Sequence, residues 1–125
     1  MNKLLLLAFF SFTVSASSGG GVKREPLKWH EADYVDHHCK GEVEHVLSDR
    51  TRVDCLTDTH AIEYDWGKKW AEAIGQSLYY SAMTGKKAGI VLIVNPRTKE
   101  RYLKRINKAI EAHSLDIDVW TVEKH

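Results

Sequence analysis

The sequence predicts an α/β domain, a mixed sheet flanked by helices, in the order helix, strand, strand, strand, helix, strand, helix, strand. Three observations predict it. Short runs rich in strand formers, separated by Asp/Ser/Thr turns, follow one another between residues 42 and 66. The apolar period then changes to helical spacing. Beyond that helix, "GIVLIVN" is almost uninterrupted apolar sequence, as expected of a strand covered on both faces.

The chain opens on "MNKLLLLAFFSFTVSA", with one early charge, Lys3, and an apolar run from Leu4 to Val14. Val14 and Ala16 stand at −3 and −1 of a cleavage site, so residues 1–16 read as a secretory signal peptide. The run is too short to span a bilayer core of about 30 Å. "SSGGG" opens a flexible leader over 17–26. The domain proper is expected over 27–125, in a secreted or periplasmic protein with no membrane attachment after cleavage. Cleavage removes Lys3 and leaves as many basic as acidic side chains. Net charge therefore gives no argument for nucleic acid, and any such contact must come from local patches.

Within the domain, "LKWHEADYVDHHC" (27–39) suggests a short helix through Leu27, Ala32, Val35 and Cys39, with Gly41 just beyond its end. "EVEHVL", "RVDCLT" and "AIEYDW" read as an antiparallel meander turning at "SDRT" and "DTH". A helix over 68–84 follows, its apolar residues Trp70, Ala71, Ile74, Leu78 and Ala82, and Gly85 stops it. The step from the third strand over this helix to "GIVLIVN" is expected to be a right-handed parallel crossover. "TKERYLKRINKAIEAH" is an amphipathic helix through Tyr102, Leu103, Ile106 and Ile110, and "DIDVWTV" is a last strand.

Two cysteines, Cys39 and Cys55, suggest one disulfide in an exported chain, or else two buried thiols. His30, His37 and His38 lie near Cys39, but their spacing fits no strong zinc pattern.

The chemistry concentrates in "AIEYDWGKKWAEAIGQSLYY". Side chains alternate along a strand, so Glu63 and Asp65 share a face and Ile62 and Tyr64 take the other. Pairing across "DTH" brings Asp54 close to Glu63. Carboxylates in a half-buried sheet repel one another unless something neutralises them. A hard divalent cation does so, and Mg²⁺ commonly takes one or two carboxylates plus waters. Lys69 stands next to the strand end and can stabilise charge on a phosphate. Gln76 and Tyr80, four apart, would line the same wall. The bland alternative is that these are separate surface residues.

Asp54, "IEYD" and "KKW…QSLYY" together resemble the PD-(D/E)xK nuclease superfamily, in its RecB-like branch with a Q-x-x-x-Y motif. The resemblance spans about Trp29 to Val122. It implies a restriction-endonuclease-like core and a nuclease dependent on Mg²⁺ or Mn²⁺, with Asp54 and Glu63 holding the metal. Asp65, Lys69, Gln76, Tyr80 and Glu31 would complete the site, Glu31 as an acid from the first helix. Glu31 and Glu44 are the weaker acid candidates. In place of the family's lysine, two residues after the second acid, this chain has Asp65, and Lys69 or else Lys68 would supply the amine. DNA is the expected partner, and many such nucleases form homodimers. The competing reading is a catalytically inactive binding module on the same fold, meeting an envelope partner or a nucleic acid through Lys86, Lys87, Arg97, Lys99 and Arg101. A third is a structural envelope protein whose acids all face water.

Overall fold

The computed structural model describes residues 27–125 and, apart from them, Ser15. The expected signal peptide and leader otherwise lie outside the described residues. The chain runs α1 (Glu31–His38), β1 (Glu42–Val46), β2 (Arg52–Leu56), β3 (His60–Trp66), a 3-10 turn (Gly67–Lys69), α2 (Trp70–Thr84), β4 (Lys87–Val94), α3 (Lys99–Ala112) and β5 (Ile117–Glu123). This is the expected element order. No helix among the described residues is long and apolar enough to cross a membrane.

The five strands form one sheet in the order β1-β2-β3-β4-β5. β1–β2 and β2–β3 pair antiparallel, as expected of a meander. β3–β4 and β4–β5 pair parallel, with a helix in each crossover. β4 lies inside the sheet between β3 and β5 and is buried from Ala88 to Val94, which accounts for its unbroken apolar run.

The two faces of the sheet are covered by different helices. α1 packs Tyr34 and Val35 on Cys55, Tyr64, Val91 and Ile93. On the opposite face, Ala88, Ile90, Leu92 and Val94 meet Ala73 of α2 and Ile106 of α3. A third cluster joins Val53, Ala61 and Tyr80.

Three details differ from the sequence expectation. α1 starts at Glu31 because His30 and Asp33 form a capping box, the Asp33 carboxylate accepting the His30 N–H at 2.7 Å. Leu27, expected on the buried stripe, is 88% exposed. The buried stripe of α2 is Ala73, Ser77 and Tyr80, with Trp70 and Ile74 only partly buried and Leu78 turned outward. The helix lies over both β3, with its carboxylates, and the apolar β4, which Ala73 meets. Ser77 satisfies its hydroxyl on its own helix, donating to the Ile74 carbonyl at 3.0 Å.

Two glycines have structural reasons. Gly85 adopts φ 69° as the left-handed cap of α2. A side chain at Gly41 would strike the Leu56 carbonyl, so this glycine serves the approach of β1 to β2.

Candidate metal centre

The site is built where the sheet changes from antiparallel to parallel. β2 and β3 pair at Cys55↔Ile62 and Leu56↔Ala61. The next pair along that register is Asp54 and Glu63. Here the ladder is interrupted, and Asp54 Oδ2 accepts the Tyr64 backbone N–H at 2.8 Å. On the other side of β2, Glu44 takes φ 55°, and the β1–β2 register passes from Val43↔Cys55 to His45↔Val53 without pairing Glu44 to Asp54. Asp54 thus sits at a local irregularity in both ladders, a common place to aim a functional side chain.

Glu63 and Asp65 alternate onto the α2 face of β3, as expected, and both are buried, at 6% and 4% exposure. Asp65 Oδ1 accepts the Trp66 N–H at 2.9 Å. Glu63 Oε2 is buried and has no hydrogen-bond partner among the described residues. An orphaned carboxylate oxygen in the interior costs about 1–3 kcal/mol or more, which makes Glu63 the least satisfied group of the cluster.

The electrostatics follow from this crowding. Burial, then the charge of Asp54, pushes Glu63 up to about 9. Burial also pushes Asp54 up to about 6 against the Tyr64 N–H, which pulls the other way. The two carboxyls are close enough to hydrogen-bond when one is protonated, so the pair holds a proton at neutral pH. Asp65 is raised to about 6, first by burial and then by Glu31. Glu31, at the start of α1, raises all three. Tyr80 is buried beneath the cluster, and its phenol is raised by burial and by Glu63 and Asp54.

The lysine arrives differently from the expectation. Lys69 ends the 3-10 turn and caps α2 instead of lying in its first turn. It lies 3.8 Å from Glu31 and lowers Asp65. Lys68 beside it is exposed. Gln76 is also exposed, one turn before the buried Tyr80, so only Tyr80 of the Q-x-x-x-Y pair is packed beneath the acids. Glu44 is held at the rim by Arg52 at 3.0 Å.

The structure therefore brings together Asp54, Glu63, Asp65, Glu31, Lys69 and Tyr80. The donor set suits a small hard cation: Asp54 and Glu63 would hold it, as Mg²⁺ commonly uses one or two carboxylates and keeps several waters. The buried, unpartnered Glu63 oxygen is the observation that fits such an ion. No trio of His, Cys, Asp or Glu among the described residues forms a ready ligand shell.

Cys39 and Cys55 are disulfide-bonded, which decides between the two readings left open by the sequence. The bond ties the end of α1 to the residue after Asp54. Of the five bases considered as a patch, Lys87 is engaged by Asp116 and Asp118 at 3.4 and 3.2 Å, and Lys86 donates to the Asp58 carbonyl.

The sequence reading missed a pocket at the carboxyl ends of β3 and β4, lined in part by Trp29, Trp66 and Tyr102. These aromatic residues come from three separate segments, so no local sequence pattern marks the pocket. Compared with known proteins, the chain matches no family model, no curated protein and no solved structure.

Proposed function

We propose that this protein is an exported, divalent-metal-dependent nuclease that hydrolyses phosphodiester bonds of DNA, on a restriction-endonuclease-like core. The single observation that carries the reading is Glu63, whose buried oxygen lacks a partner while Asp54 stands beside it. Buried acids that repel one another are uncommon without a purpose, and perturbed carboxyls cluster at functional sites. Their position agrees with the motif resemblance, an acid on one strand, an acid on the next, and a lysine entering the following helix.

In this reading Asp54 and Glu63 hold Mg²⁺ or Mn²⁺, and the ion supplies Lewis-acid stabilisation of phosphate charge when bound. Asp65 orients a water through the oxygen not used by Trp66. Lys69 leaves Glu31, a long and partly exposed pair, to meet the phosphate. Tyr80 supports the acids from below. Gln76 is available at the rim to contact a strand.

The inactive binding module is the second reading. It is favoured by Asp65 in place of the motif lysine and by the engagement of Lys69 with Glu31. Plasmid cleavage with Mg²⁺ or Mn²⁺, with and without chelator, separates the two. Chelator-sensitive cleavage lost in Glu63→Gln supports the nuclease. Metal binding without cleavage supports the module.

A further inference from the structure

A cavity of about 400 Å³ opens where β3 and β4 end and the 3-10 turn begins. That volume lies within the usual range for small-ligand sites. The carboxyl ends of parallel strands are also where ligands of open α/β sheets bind. Its wall includes three aromatic side chains, Trp29, Trp66 and Tyr102, and three lysines, Lys28, Lys68 and Lys124. Among the described residues no acidic side chain lines it. In a chain with nearly equal numbers of acids and bases, that segregation of charge is a local feature and favours an anion.

Its construction is specific. Lys124 Nζ lies 5.3 Å from the Trp66 ring centroid, so charge is held against an aromatic face. A side chain at Gly67 would meet Tyr102 Cδ2 at 2.6 Å and Val94 Cγ1 at 2.7 Å. Gly67 therefore lets Tyr102 reach the turn and close that wall. The pocket and the acids are joined through neighbouring residues of the chain. Trp66 follows Asp65 in the chain, and His30, on the pocket wall, precedes Glu31.

We propose that this pocket binds one nucleotide of a single strand that continues into the carboxylate site, its base against the aromatic wall and its phosphate on Lys68 and Lys124. The chemistry is that of sequence-tolerant strand binding, in which aromatic faces stack bases and lysines follow the backbone. It deepens the nuclease reading and rests on it for the strand's continuation into the acids. Occupation of the pocket would set which phosphodiester reaches Asp54 and Glu63.

The test is tryptophan fluorescence of the metal-free protein titrated with octathymidylate, with thymidine monophosphate and with a blunt duplex. Saturable quenching by the octamer, at least tenfold tighter than by duplex or monophosphate, is expected. The double variant Lys68→Glu/Lys124→Glu alters two exposed side chains and should weaken the octamer at least tenfold. Its melting response to Mg²⁺, which reports on the carboxylates, should be unchanged. Tyr102→Leu should weaken binding with a smaller loss of salt dependence than the charge reversals. Absent quenching, or quenching indifferent to charge reversal, would overturn the pocket. Equal affinity for monophosphate and octamer would overturn the strand. A protein that binds the octamer as described but shows no Mg²⁺ response would support the pocket while the nuclease reading failed.

Discussion

Asp54 accepts the Tyr64 backbone N–H at 2.8 Å, so a side-chain carboxylate stands where a strand carbonyl would otherwise complete the ladder. The bond anchors one oxygen of Asp54 and leaves the other for the pair with Glu63. It also makes the β2–β3 junction depend on the same residue as the proposed metal site.

That dual role separates two variants. Glu63→Gln removes a carboxyl that must take up a proton on folding at mildly basic pH, without touching the Asp54–Tyr64 bond. In the absence of metal its stability should hold or rise by about 1 kcal/mol near pH 8, a melting shift of roughly 4–8 °C. Asp54→Asn should behave similarly, because its amide oxygen still accepts the Tyr64 N–H. Both should lose the Mn²⁺-induced rise in melting temperature. Two destabilised variants beside a metal-indifferent wild type would mean that these acids form a structural network.

The pH dependence has a fixed sign. Asp54, Glu63 and Asp65 all bind protons more tightly folded than unfolded. Between the ordinary carboxylate range and about 9, the folded state therefore holds more protons, and metal-free stability should fall as pH rises. Mg²⁺ binding requires those protons to leave, so the metal's contribution should grow over the same range. Thermal melts from pH 5 to 9, with Mg²⁺ and with chelator, check both slopes.

Lys69→Ala should lower cleavage by roughly 10²-fold, in line with removing one donor of transition-state stabilisation. Lys68→Ala should act mainly on strand affinity. Comparing single-turnover rates at saturating DNA distinguishes the two. Should Asp65→Lys create or raise activity while neither alanine variant matters, the binding-module reading prevails.

Reduction of Cys39–Cys55 should cost about 3 kcal/mol in the chain-entropy account, given a separation of 16 residues. Because α1 carries Glu31 and β2 carries Asp54, reduction should also loosen the relation between these acids. Melting and metal titration with and without reductant measure the two effects.

Gly67→Ala should destabilise by about 1–3 kcal/mol, since the added methyl enters the space of Tyr102 and Val94. Pairing it with Tyr102→Leu should recover part of the loss, as a double-mutant cycle would show.

The element order and the strand directions were legible from period changes and turn residues. So was the shared face of Glu63 and Asp65, because strand alternation is strict. The α2 face was not. Hydropathy favours Leu78, whereas the buried stripe is Ala73, Ser77 and Tyr80. Nor was the start of α2, expected at residue 68, because a 3-10 turn holds Lys68 and Lys69 outside the α-helix. Pocket walls drawn from Trp29, Trp66 and Tyr102 combine three distant segments, and no local pattern encodes their meeting.

The strands lie across the sheet in the order in which they occur in the chain. The antiparallel pairs β1–β2 and β2–β3 close over short separations, whereas the parallel pairs bring together distant residues such as His60 with Lys87 and Ala88 with Ile117. Asp54 and Glu63 meet in a hairpin before α2 exists to cover them, while both are still hydrated. Their mutual repulsion is weak at that stage and becomes severe only when α2 docks. Docking of that helix should therefore be quicker in acid, where the carboxyls already carry their protons.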